Sequence, residues 1–115
     1  MFLIMLILDD PSQCHDVLNA WEAAGSRGVT ILASTGLGRV RMRKGLLDDM
    51  PLMPSLEEFF QEEESQNRTL ISIVKEREVV DRIIQATHKI IGDLFQPDTG
   101  ILAVLPVLEA YGVKG

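Results

Sequence analysis

The 115-residue, 12.8 kDa chain carries 17 acidic against 11 basic side chains, a formal charge of −6 and a pI near 4.8. That length bounds the reading to a single domain spanning 1–115, and the acidic total argues against a general nucleic-acid binder, which needs a net basic face to displace counterions from phosphates. A hydrophobic fraction of 46% with 24% charged residues is globular rather than disordered composition.

The apolar opening Phe2-Leu3-Ile4-Met5-Leu6-Ile7-Leu8 stops at Asp9-Asp10-Pro11. Seven residues are too few for a bilayer span, the run lacks a signal peptide's basic start and small-residue cleavage site, and its length suits a strand buried on both faces. Ser12 is expected to cap a helix over about 12–24, whose stripe is Val17, Leu18, Trp21 and Ala24 and whose stop is Gly25. Val29 to Thr35 alternates and is rich in β-branched residues, which predicts a second strand ended by Gly36-Leu37-Gly38.

No sustained strand pattern runs from Arg39 to Arg68, and Pro51 and Pro54 interrupt the segment, so a long loop is expected over about 36–68. Loops of that length inside a small domain tend to be functional or disordered. Within it, Ser55-Leu56-Glu57-Glu58 is a capping box, and Leu56, Phe59 and Phe60 predict a helical turn or two over 55–63. Thr69 to Val74 reads as a third strand. Val79, Val80, Ile83, Ile84, Thr87, Ile90 and Ile91 mark an amphipathic helix ending at Gly92, and Ile101 to Leu105 is a fourth strand closed by Pro106.

The resulting βαββαβ order predicts an α+β, ferredoxin-like fold: an antiparallel sheet with both helices on one face and a long loop after the second strand. Strands one and four are apolar at every position, so the uncovered face would present Leu and Ile to water. At about 25 cal/mol per Å² that exposure is unfavourable, and it predicts an oligomer in which sheets face one another.

Candidate chemistry gathers at the loop. Gly36-Leu37-Gly38-Arg39 follows a strand, where free backbone N–H groups and a guanidinium can converge on a phosphate. Arg41, Arg43 and Lys44 extend the positive charge, and in an extended segment Arg39, Arg41 and Arg43 point the same way. Residues 39–44 carry four positive charges and no negative one, whereas 48–66 carry seven negative and no positive. The long loop therefore joins an anion-attracting base to an acidic arm suited to a partner protein.

Gly28-Val29-Thr30 continuing to Gly36-Leu37-Gly38-Arg39, the long loop, and Gly100 followed by Val104-Leu105-Pro106-Val107 together resemble the PII signal-transduction proteins and their PII-like relatives. The resemblance implies a non-catalytic homotrimer. Clefts between its neighbours bind an adenine nucleotide, and its T-loops dock on transporters, enzymes or regulators. Carried over by position, it places Thr30, Gly36, Leu37, Gly38, Arg39, Gly100 and Lys114 at the ligand and Arg41, Arg43, Lys44, Glu57 and Glu58 on the partner-binding loop.

The chain also departs from the family pattern. Val40 stands where a Gln takes part in binding magnesium and 2-oxoglutarate, Ile101 where a Lys holds phosphate, and Gly112 at one of two basic positions near the C-terminus, the other being Lys114. The modifiable loop tyrosine is absent, since the one tyrosine is Tyr111. These gaps favour a less charged effector, AMP, ADP or a cyclic dinucleotide, over ATP with 2-oxoglutarate, and they argue against uridylylation.

Other polar groups read as structural. Cys14 is alone, and with His15 and His88 it is too small a set for a zinc cluster. Adjacent helical residues point about 100° apart, so Cys14 and His15 do not form a catalytic pair. The acidic run Glu57, Glu58, Glu62, Glu63, Glu64 reads as a solvated or partner-facing face rather than a metal site. His88 is expected at the surface and Trp21 in the core. No catalytic or metal residue is assigned and a reducing, cytoplasmic setting is expected. Two competing readings are a small ferredoxin-like enzyme, for which no general acid or base stands out, and a structural or metal-binding trimer similar to the CutA proteins.

Overall fold

A computed structural model describes residues 1–36, 66–97 and 99–113. They form strand β1 (Phe2–Leu8), a 3-10 turn (Pro11–Gln13), helix α1 (Cys14–Ala24), strands β2 (Thr30–Thr35) and β3 (Gln66–Val74), helix α2 (Arg77–Ile91) and strand β4 (Gly100–Pro106). The sheet order is β2-β3-β1-β4 with every pairing antiparallel, which is the α+β ferredoxin-like arrangement expected from the order of elements. The helix expected over 55–63 lies outside the described residues.

Strand parity explains how the sheet is used. Ile4, Leu6 and Leu8 are wholly buried with Leu70 of β3, beside the buried Val74, against Val17 and Trp21 of α1 and Val80 and Ile83 of α2. Leu3, Met5 and Ile7 point to the opposite face and are only half-buried. Enclosure of β1 on both faces therefore holds for one face alone, because both helices cross the same side. A buried hydrogen bond joins the two helices: the Trp21 indole Nε1 donates to Thr87 Oγ1 at 2.9 Å, and that hydroxyl donates to the Ile83 carbonyl at 2.7 Å.

Several boundaries differ from expectation, β2 and β4 by one residue at their starts. Asp10, not Ser12, caps the first helical path: its Oδ1 accepts from Ser12 N at 3.0 Å and Ser12 Oγ at 2.7 Å, and these bonds hold its carboxyl below the usual range. The cause is Pro11, whose fixed φ and missing N–H suit the first position of the turn and move the cap back. Strand β3 starts at Gln66 rather than Thr69, because ladder bonds from Thr35, Ser34 and Ala33 to Gln66, Asn67 and Arg68 need no apolar side chains. Strand β4 includes Pro106, tolerated on an edge strand that pairs only with β1. As expected, Gly25 stops α1 with a left-handed φ of 119°, and the end of that helix is held by Arg82 Nε donating to Ala24 O at 3.0 Å.

Replacing Thr87 by Val strands the Trp21 N–H in the core. The expected loss is about 1–3 kcal/mol of unfolding free energy in urea titrations, with an unchanged fold by circular dichroism.

Candidate functional site

The β2–β3 ladder runs to its last pair, Thr35 with Gln66, so the chain leaves the sheet after Thr35 and re-enters it beside the point of departure. Asn67 lies at this base. Its side chain is buried, its Oδ1 accepts no hydrogen bond from the described residues, and its Nδ2 lies 3.2 Å from where a Cβ on Gly36 would stand. A buried acceptor without a donor costs about 1–3 kcal/mol, which makes it a place for a donor from elsewhere. Ser34 Oγ and Thr69 Oγ1, 2.9 Å apart, continue the polar surface along the same face. Asn67 escaped sequence reasoning because the polar Gln66-Asn67-Arg68 reads as loop, not strand.

Gly100 lies at the same end of the sheet. It pairs with Leu8, Leu8 with Arg68, and Arg68 with Ala33, one transverse row across all four strands. Three inter-strand spacings, about 14 Å, separate β2 from β4 along it. Glycine is required here for packing: φ is 147°, and a Cβ would stand 2.5 Å from the Ile7 carbonyl oxygen. The preceding turn is tied by Thr99 Oγ1 donating to Gln96 O at 2.8 Å and by Asp93 Oδ1 accepting from Phe95 N at 2.9 Å. Ile101, the next residue, is 63% exposed on the open face.

Thr30 is elsewhere. It sits six residues before Gly36, about 20 Å along β2, in a cleft of about 430 Å³ lined by Arg27, Gly28, Ile71, Ile73, Tyr111 and Gly112 among others. The Gly28 end of that cleft is pinned to β3, since Ser72 Oγ donates to Gly28 O at 2.8 Å and the buried Ser26 hydroxyl bonds the same serine. Gly112 thus lies near Thr30 without supplying charge. One subunit therefore brings together Thr30 with the C-terminal tail, and Gly36 with Asn67, but leaves these two groups at opposite ends of β2. The expected contributions of Leu37, Gly38, Arg39 and Lys114, and of Arg41, Arg43, Lys44, Glu57 and Glu58, lie outside the described residues, as does Val40.

Among the described residues there is no group of three or more His, Cys, Asp or Glu able to hold a metal ion, and no helix is long and apolar enough to cross a membrane. Cys14 is a free, half-buried thiol, Trp21 is wholly buried and His88 is exposed.

A family model described as nitrogen regulatory protein P-II matches residues 1–115. The chain belongs to the P-II family. No curated protein matches it. Among solved structures it is similar to a protein from Thermus thermophilus described as a putative PII-like signaling protein, with a TM-score of 0.56 and 20% identity over 90% of this chain and 82% of that one. That likeness supports the fold, and family membership supports a signalling regulator.

Gly100→Ala is expected to lower stability by well over the about 1–3 kcal/mol of backbone strain, because the added methyl meets a carbonyl. Gly28→Ala, with nothing within 4 Å of its Cβ position, is expected to unfold within a degree or two of the wild type. Thermal denaturation of both variants checks the contrast.

Proposed function

We propose that the protein is a non-catalytic regulator whose homotrimer binds an adenine nucleotide between subunits and reports occupancy to a partner protein through the loop that leaves the sheet at Gly36. The observation that carries this reading is the separation of the candidate ligand residues into two partial sites. The Thr30 cleft offers apolar walls and backbone polar groups, while the Gly36 and Gly100 end offers close-approach glycines and the unfilled Asn67 acceptor. Neither half encloses a nucleotide, and a neighbour's complementary half supplies what each lacks.

The uncovered sheet face supports the assembly. Leu3, Met5, Ile7, Ile71 and Ile73 lie on it by strand parity, with Leu32, Ile101 and Leu105 at 47%, 63% and 44% exposure. Covering such a face yields about 25 cal/mol per Å². Ligand binding then acts on the loop by differential affinity: a nucleotide that contacts Arg39 in one loop conformation and not in another shifts the population towards the first. The absence of charge at Ile101 and Gly112 favours AMP, ADP or a cyclic dinucleotide over ATP, and Val40 removes the side chain that 2-oxoglutarate sensing uses in the family. The reading assigns the protein to the cytoplasm, where such effectors are found.

A thermal-shift series with AMP, ADP, ATP, cyclic dinucleotides and 2-oxoglutarate tests this. A nucleotide present at a hundred times its Kd adds about 2.7 kcal/mol, a rise of several degrees in Tm. The expected result is such a rise with at least one adenine nucleotide, lost in Arg39→Ala, and no response to 2-oxoglutarate. No stabilisation by any adenine nucleotide at millimolar concentration would sink the proposal.

A further inference from the structure

Next to the Thr30 cleft, on the far side of Arg27 and Ile73, lies a second, partly open pocket of about 260 Å³ where the end of α1 meets the β3–α2 turn. Its lining includes Arg27, Lys75 and Arg82 against one carboxylate, Glu76. In a chain of net charge −6 this is a local reversal of sign. The pocket's charged groups are exposed at the rim, so their attraction for an anion is strongest at low ionic strength.

The three cations are not consumed by internal pairing. Neither Arg27 nor Lys75 has an ion-pair or hydrogen-bond partner among the described residues. Arg82 is held by a bond from its Nε to Ala24 O, and its Nη2 lies 3.4 Å from the Cβ position of Gly25. That bond fixes the guanidinium over Gly25 and spends one of its five donors. Because Gly25 has no side chain, the wall beneath the guanidinium stays open. Val79 and Ile73 supply apolar sides, and the first turn of α2, which begins at Arg77, brings the positive end of its dipole to the rim, partly offset by Glu78 in that turn.

We propose that this pocket is a binding site for a small phosphate-class dianion, separate from the nucleotide cleft. Its volume falls below the range of about 300–1,000 Å³ typical of drug-sized ligands, which selects a phosphate or a small phosphorylated metabolite over a whole nucleotide. The phosphoryl group has two candidate sources, a free anion or the tail of a nucleotide seated at Thr30, since Arg27 and Ile73 line both pockets. The proposal commits to the free anion, so it stands or falls independently of nucleotide binding.

The test is a titration of the full-length protein with inorganic phosphate at low ionic strength in a phosphate-free buffer, followed by amide chemical shifts. Wild type is expected to show saturable shifts at Lys75, Glu76 and Val79. Lys75→Gln should weaken binding at least about fivefold and Glu76→Gln strengthen it about threefold, as removal of an attracting and a repelling charge near the ion requires. Thr30→Val, which alters only the neighbouring cleft, should leave the phosphate affinity unchanged. The same spectra report whether each variant is folded. Absence of saturable shifts in the wild type overturns the site, as does a Lys75→Gln protein that binds like wild type. Equal weakening by Thr30→Val and Lys75→Gln overturns it too, because the ion then belongs to the nucleotide cleft.

Discussion

The structure depends on one asymmetry, the burial of a single face of the sheet. In β1 every residue is apolar, yet only Ile4, Leu6 and Leu8 reach the helices, while Leu3, Met5 and Ile7 face away. Two helices on one side follow from the chirality of the two strand-helix-strand units, and none of the described elements crosses the other side to cover it. The hydrogen bond from Trp21 to Thr87 locks the covered side, so rearranging the helices to protect the other face would break a satisfied buried pair. The open face is therefore a fixed property of the fold, and it presents apolar side chains such as Leu32, Ile101 and Leu105.

The same asymmetry governs where ligand chemistry can sit. The glycine-lined end and the Thr30 cleft lie at opposite ends of β2, so a single copy does not bring the candidate ligand positions together. In the proposed assembly, the loop end of one copy would meet the cleft of another. Self-association and effector binding would then be linked, since a ligand bound across a junction stabilises it by the same free energy.

The sequence displayed most of the fold because two signals agree: short apolar or alternating runs bounded by Pro or Gly, and the helical stripe Val80, Ile83, Thr87, Ile91. What it concealed has physical causes. Strand β3 begins three residues before its apolar pattern because backbone ladders form regardless of side chain, and that hid Asn67 inside an expected loop. Asp10 displaced Ser12 as the cap because Pro11 starts the helical path early. Thr30 and Gly36 look adjacent in a short motif, but extended chain carries them about 20 Å apart. The basic pocket of Arg27, Lys75 and Arg82 was invisible because its members come from three separate segments. Family resemblance singled out Thr30, Gly36 and Gly100 as positions without showing which of them meet within one copy.

The central claim is that the uncovered apolar face is closed by further copies of the same chain, completing the sites at its ends. Sedimentation equilibrium of the purified protein at micromolar concentration tests it most directly. The account predicts a mass three times the 12.8 kDa of the chain, persisting in high salt because the contact is apolar. A single species at the mass of one chain would contradict it.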